Sequence, residues 1–351
     1  AGFDAASLSE QKEVWNKQVF YAEKLSNYLR FRHATLEFFH YLRATGTTQS
    51  GETRKKLDEI ICLHFLKNES LADSFSTKFN LYQVQVAYQF HINNTKAAAV
   101  IQEKIIKLFE EHSEFIINRP ELFLTSLYNL GLILLTLLRW KETNETILKI
   151  KSLTEKYSLK NTPAWEARIL TYHSDLELEL HLMSGEIEKG LLLFEFLEEA
   201  FEKSNKHIEP LFKVQFQFKK TSMLFLQGNY KRASLLVHDQ ISDYPKTIRQ
   251  DLLTTLKLLQ QMIFYEMGKF DLVAYGVRNL KRQMAASGIV HGEEKIVAEY
   301  LEKLIRDPED KTIRKELFQK MLTDLNYFIS SSASFISLKF NYQAWAFRHL
   351  V

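Results

Sequence analysis

Few residues in this chain stand where chemistry would need them. His173, Glu177 and His181 occupy i, i+4 and i+8 of one helical face, the nearest the sequence comes to a metal stripe. Eight residues of α-helix rise about 12 Å, too far for both imidazoles to reach one ion at the ~2.1 Å that zinc demands. The stripe therefore reads as a solvated face. Asp175 and Glu179 stand four apart on the same stretch and could make a carboxylate pair for acid–base work, although such pairs are ordinarily surface charge. Cys62, the sole cysteine, has His64 two residues on, but i and i+2 diverge around a helix, so this pair builds no thiolate–imidazole nucleophile. Its neighbours Ile60, Ile61 and Leu63 point to plain burial, and one thiol makes neither an intramolecular disulfide nor a multi-thiolate metal site. His238 before Asp239, and His291 before Glu293 and Glu294, lack the partner pattern of a general base.

The phosphate-loop, dinucleotide, nucleophile-elbow and zinc-protease signatures are all missing, so no enzyme, no cofactor and no metal are expected. Forty-six basic against 43 acidic side chains give a net charge of +3, too balanced for a protein that grips phosphate backbones. The local clusters Lys55–Lys56, Lys219–Lys220 and Arg278, Lys281 and Arg282 read as solvated helix faces, and no nucleic acid is expected. The uncharged run from Leu122 to Leu138 touches the low end of a membrane span, yet it carries Thr125, Ser126, Asn129 and Thr136. A helix buried on nearly all sides explains it better, so no membrane insertion is expected. The lone thiol suits a reducing, cytoplasmic location. Opening on Ala1 rather than Met reads as a start that was processed or cut away, which leaves export open.

The elements that must position any site are helices. Only 11 Gly and 5 Pro occur in 351 residues, where ordinary usage supplies about 42 of the two together, and sheet-rich folds draw on both at every turn. Their positions carry a pattern. Pro120, Pro163, Pro210 and Pro245 recur about 35 to 47 residues apart, each ahead of an apolar-periodic stretch, as first-turn prolines do. Pro308, after Asp307 and before Glu309 and Asp310, fits a fifth helix start. Roughly 20 residues after each comes a turn mark: Arg139-Trp140, Gly185-Glu186-Ile187, Gly228-Asn229-Tyr230 and Gly268-Lys269-Phe270. Small residues follow at Gly190, Ala233 and Ala274, and a weaker early copy has Asn93-Asn94 and Ala97.

A helical hairpin repeated in this way resembles the tetratricopeptide family. Gly228-Asn229-Tyr230 with Ala233 and Pro245 matches the family's turn, and Leu130-Gly131 with Trp140 matches its first helix. The repeats begin near Asn80, Leu124, Thr171, Val214 and Thr254, a spacing of about 40 to 47 where the family's is 34, so either the helices are longer or extra residues sit between units. The resemblance implies an all-α, right-handed α-solenoid of antiparallel helical hairpins. Residues 1–77 form an N-terminal helical segment, with one or two amphipathic helices over Glu10–Leu42. Residues 78–288 are the repeats, and 289–351 form a C-terminal cap ending in the aromatic stretch Phe340, Tyr342, Trp345 and Phe347.

The resemblance further implies that first helices line a concave groove. Its positions fall on Tyr82, Tyr128, Asp175 and Phe218, then Glu179, Ser222 and Met262, then Phe225 and Tyr265, with Tyr172 on a flanking set. Aromatics dominate, which suits an apolar or extended peptide. No Lys, Arg or Asn falls on these positions, so a clamp for a terminal carboxylate is not expected. The reading is a non-enzymatic scaffold for a peptide or partner protein, its oligomeric state open. The alternatives are a peptide-signal sensor or regulatory domain of a larger protein, and an RNA-binding solenoid, whose base-per-repeat register the uneven spacing spoils.

Overall fold

A computed structural model describes residues 5–44, 51–245, 250–286, 292–331 and 340–350. All regular structure among them is helical. The helices are α1 (Ala5–Ala44), α2 (Gly51–Ile61), α3 (His64–Lys67), α4 (Phe75–His91), α5 (Thr95–Glu111), α6 (Ser113–Asn118), α7 (Pro120–Thr136), α8 (Trp140–Lys151) and α9 (Leu153–Lys156). Then follow α10 (Pro163–Ser184), α11 (Ile187–Lys203), α12 (Pro210–Gln227), α13 (Tyr230–Ser242), α14 (Gln250–Glu266), α15 (Phe270–Ala286), α16 (Glu293–Leu304), α17 (Lys311–Ser331) and α18 (Tyr342–Arg348).

The helix starts follow from local chemistry. Pro120, Pro163 and Pro210 open α7, α10 and α12, where a missing N–H leaves no bond unmade. Thr162 caps α10 by accepting from the Trp165 N–H at 3.2 Å. Pro245 precedes residues 246–249, which lie outside the described residues. Pro308 departs from expectation. It sits in the turn before α17, and Asp310 is the cap, its Oδ1 accepting from Thr312 N at 2.8 Å and Ile313 N at 3.0 Å. A carboxylate two residues nearer the helix supplies the acceptor that the orphan N–H groups require, and the start moves to it.

Five hairpin turns close through one residue in the left-handed region: Asn93, Leu138, Gly185, Gly228 and Gly268, with φ of 60°, 57°, 77°, 89° and 70°. In four of them the same two bonds recur. The N–H of the left-handed residue reaches back three residues, as Gly228 N to Phe225 O at 3.0 Å, and the next N–H reaches back five, as Asn229 N to Leu224 O at 2.9 Å. The Arg139-Trp140 turn thus works without glycine. Leu138 takes the strained conformation at a cost of about 1–2 kcal/mol, at an exposed position.

The chain divides into two compact units, Ala1–Phe115 and Ile116–Val351. In the first, α1 is one continuous helix. Its C-terminal half buries Phe31, Ala34 and Phe38 against α2 and α4, while Trp15, Val19, Phe20, Tyr21 and Leu25 on its N-terminal half are exposed. Cys62 is exposed rather than buried, because it lies in the turn after α2, outside the apolar face that carries Ile60.

In the second unit each helix of a hairpin packs on its mate, and the first helices pack in sequence, α7 on α10, α10 on α12, α12 on α14 and α14 on α16. Gly131 sets the α7–α10 approach: a Cβ there would stand 2.5 Å from Leu176 Cδ1. Helix α7, uncharged from Leu122 onward, buries Phe123, Leu124, Leu127, Leu130, Ile133, Leu134 and Leu135. No helix among the described residues is long and apolar enough to cross a membrane. Phe340, Tyr342 and Trp345 of the C-terminal stretch are buried in the core, and Phe347 is exposed.

Candidate functional site

Three successive first helices of the second unit meet at a buried lysine. Lys219 of α12 reaches α10 with only 2% of its side chain exposed. Its ammonium donates to the Asp175 main-chain oxygen at 2.9 Å and Asp175 Oδ1 at 2.8 Å, and pairs with Glu179 Oε2 at 2.9 Å. Three donors meet three acceptors, the condition for keeping a charge inside. From α7, the Tyr128 hydroxyl donates to the other Asp175 oxygen, Oδ2, at 2.8 Å. Asp175 is itself buried, while the Glu179 side chain keeps 24% of its surface in solvent.

Burial and the neighbouring charges oppose each other on the lysine and act together on the phenol. Burial alone would push the Lys219 ammonium down, but Asp175 and Glu179 outweigh it and hold the group above the ordinary lysine range. Burial first, and then the Asp175 charge and hydrogen bond, drives the Tyr128 phenol well above its ordinary value. The cluster is therefore a fixed electrostatic knot that positions what surrounds it. Glu179, though its Oε2 pairs with the ammonium, is the member of the cluster that keeps contact with solvent.

Over this knot lie three rings. Tyr128 and Tyr172 stand 4.5 Å apart between centroids, tilted 31°. Phe212 of α12 stands 6.2 Å from Tyr128 and 5.6 Å from Tyr172. All three are partly buried.

The remaining candidates separate. The His173, Glu177 and His181 stripe is half-buried rather than solvated, and it divides into two clusters. Glu177 takes Lys151 and, at 3.2 Å, His173 Nδ1, whereas His181 Nδ1 lies 3.2 Å from Glu186. Burial would raise the Glu177 carboxyl, yet His173 and Lys151 hold it below its ordinary value. Among the described residues no group of His, Cys, Asp and Glu could hold a metal ion. Asp175 and Glu179 are the lysine's counter-ions rather than loose surface charge, and Lys219 and Lys220 are buried rather than solvated, Lys220 pairing with Glu198.

Of the expected groove positions, Tyr128, Tyr172, Asp175 and Glu179 come together here. Phe218, Ser222, Phe225 and Met262 are buried. Phe218, Phe225 and Met262 belong to the core, and the Ser222 hydroxyl donates to the Phe218 carbonyl at 2.9 Å. The reason is the seam between α12, α13 and α14. Residues 218, 222 and 225 share one helical stripe, and α14 closes against it through Leu252 and Leu256, leaving no cavity for a water. Tyr265 is buried beside Trp345. Tyr82 belongs to the first unit, where its hydroxyl donates to Glu69, which also accepts from Lys104 at 3.0 Å.

Sequence reasoning missed Lys219 and Phe212. Their signal was present: Lys219 directly follows the aromatic run Phe212, Phe216 and Phe218, and the carboxylates that neutralise it sit one repeat earlier. No known family, curated protein or solved structure matches this chain.

Proposed function

We propose that the second unit is a tetratricopeptide-like helical array acting as a non-enzymatic interaction scaffold, and that it holds a peptide segment of a partner protein across α7, α10 and α12. The observation that carries this reading is the partly buried trio Tyr128, Tyr172 and Phe212, seated on a knot that fixes one of its rings by hydrogen bond. Rings already ordered lose little entropy on binding and contribute large contact area, the property that makes Tyr and Trp frequent anchors of interfaces. The partly exposed carboxylate of Glu179 favours a segment with a cationic residue beside its apolar anchor. It also repels phosphate, which argues against RNA. The recurrence of one turn geometry and the packing of first helix on first helix support the solenoid reading.

The test is selection of binders from a library of short random peptides, followed by titration against Tyr172→Ala/Phe212→Ala. Loss of the two rings costs binding about 2 kcal/mol or more, roughly thirty-fold in Kd, with little change in melting. Equal binding by the double variant removes the aromatic site from the account.

A further inference from the structure

Helix α1 carries two apolar stripes on opposite sides, and only one of them is covered. Phe31, Ala34 and Phe38 form the stripe that packs against α2 and α4. Leu8, Trp15, Ala22, Leu29 and Leu36 form the other, one every seven residues. Phe31 and Phe38 each follow a member of this second stripe by two positions, about 200° around the helix, so the elements that cover the first stripe do not reach the second. All five of its residues are exposed, Trp15 at 65%.

The second stripe is the centre of a broader apolar face. From Leu8 to Leu29 that side of the helix also holds Val14, Tyr21 and Leu25, whereas Glu10, Lys12, Glu13, Lys17, Glu23 and Lys24 all fall on the other side. Every residue from 8 to 23 is exposed. A helix draws most of its stability from packing such a face, and among the described residues nothing packs on this one.

Symmetry and size specify what covers it. A two-fold interface needs a patch complementary to itself, and the stripe reads alike from either end about Ala22. With two α1 helices antiparallel and crossing at Ala22, Leu8 meets Leu36 of the second copy and Trp15 meets its Leu29, and the smallest side chain stands where the helices come closest. Glu10 then falls beside Arg32 of the second copy, whereas a parallel pair would set Arg32 against itself. The seven-residue spacing keeps one seam facing a supercoiled partner, and Leu8 to Leu36 spans about 42 Å, the four heptads that a coiled coil needs. The exposed apolar side chains of the face leave on the order of 700 Å² uncovered, beyond the ordinary patch of a monomer and close to the ~800 Å² that each partner gives a specific interface.

We propose that α1 is a dimerisation helix, and that its Leu8–Leu36 stripe pairs antiparallel with the same stripe of a second copy of this chain. This rests on α1 alone and stands apart from the Tyr128, Tyr172 and Phe212 reading.

Sedimentation equilibrium of the full chain, from nanomolar to high micromolar concentration, gives a monomer that becomes a dimer of twice the mass. Trp15→Glu/Leu29→Glu changes two exposed side chains and weakens the dimer at least about a hundred-fold. Phe20→Glu, exposed on the charged side of the helix, leaves it unchanged. Orientation is read separately in a Cys62→Ser background. Chains with Leu8→Cys, mixed with chains carrying Leu36→Cys, cross-link on oxidation, and neither cross-links by itself. A single-chain mass at every concentration, an undiminished dimer in Trp15→Glu/Leu29→Glu, or cross-linking of the Leu8→Cys chain with itself overturns the proposal. A chain that stays single and binds zwitterionic lipid vesicles assigns the face to a lipid surface, which overturns it equally.

Discussion

Replacing Lys219 with Met removes a cation from between two carboxylates while keeping a side chain of similar length. Asp175 is buried and has lost its counter-ion, and of its former partners only the Tyr128 hydroxyl at 2.8 Å remains. Breaking a buried ion pair by deleting one partner costs about 3–5 kcal/mol, because the surviving charge has neither water nor a partner. For a unit of this size that lowers Tm by about 6 to 20 °C. The counter-ions order themselves by burial: Asp175→Asn costs less than Lys219→Met, since Asn still accepts from Tyr128, and Glu179→Gln costs least, at about 1 kcal/mol, since Glu179 remains partly hydrated. The triple variant Lys219→Met/Asp175→Asn/Glu179→Gln leaves no unpaired charge and recovers at least about 2 kcal/mol relative to Lys219→Met alone. Thermal and urea unfolding followed by circular dichroism read all four. Lys219→Met melting within about 2 °C of wild type, or no recovery in the triple variant, refutes the claim that the lysine is a desolvated, paired charge.

Other outcomes follow from the same coordinates. Glu177 and Glu266 are both held below the ordinary carboxylate value of 4.5, so their contribution is present above that pH and is lost as pH falls through their folded values. Melting temperature declines below pH 4.5, and Glu266→Gln flattens that decline. Lys219 has the opposite sign: its raised pKa contributes stability below about 10.5 that disappears as pH rises beyond it, and Lys219→Met abolishes this alkaline limb. Gly228→Ala places a Cβ in the left-handed region, with nothing nearby to collide with, and lowers stability by about 1–2 kcal/mol in chemical denaturation. Cys62 reacts with a thiol reagent in the absence of denaturant, one equivalent per chain; protection until unfolding would place it in the core instead.

The helices and their turns were legible because proline and glycine act through local backbone geometry, which a sequence states directly. Pro120, Pro163 and Pro210 open helices, and Gly185, Gly228 and Gly268 close them, for reasons confined to a few residues. Leu138 was not legible, since nothing local asks a leucine to adopt φ of 57°; the packing of α7 on α8 requires it. The site was half legible. Tyr128, Tyr172, Asp175 and Glu179 lie on faces that the repeat spacing aligns. Lys219 looked solvated because its partners sit in another hairpin, 44 residues away, and Phe218, Ser222 and Phe225 looked like groove because the closure of α14 over their stripe depends on how neighbouring hairpins pack.

The central claim, that a peptide lies over the ring trio of the second unit, is tested most directly by hydrogen–deuterium exchange with and without a library-selected peptide. The account predicts that added protection concentrates in α7, α10 and α12, around Tyr128, Tyr172 and Phe212, and vanishes in Tyr172→Ala/Phe212→Ala. Protection confined to other helices, or undiminished in the double variant, contradicts it.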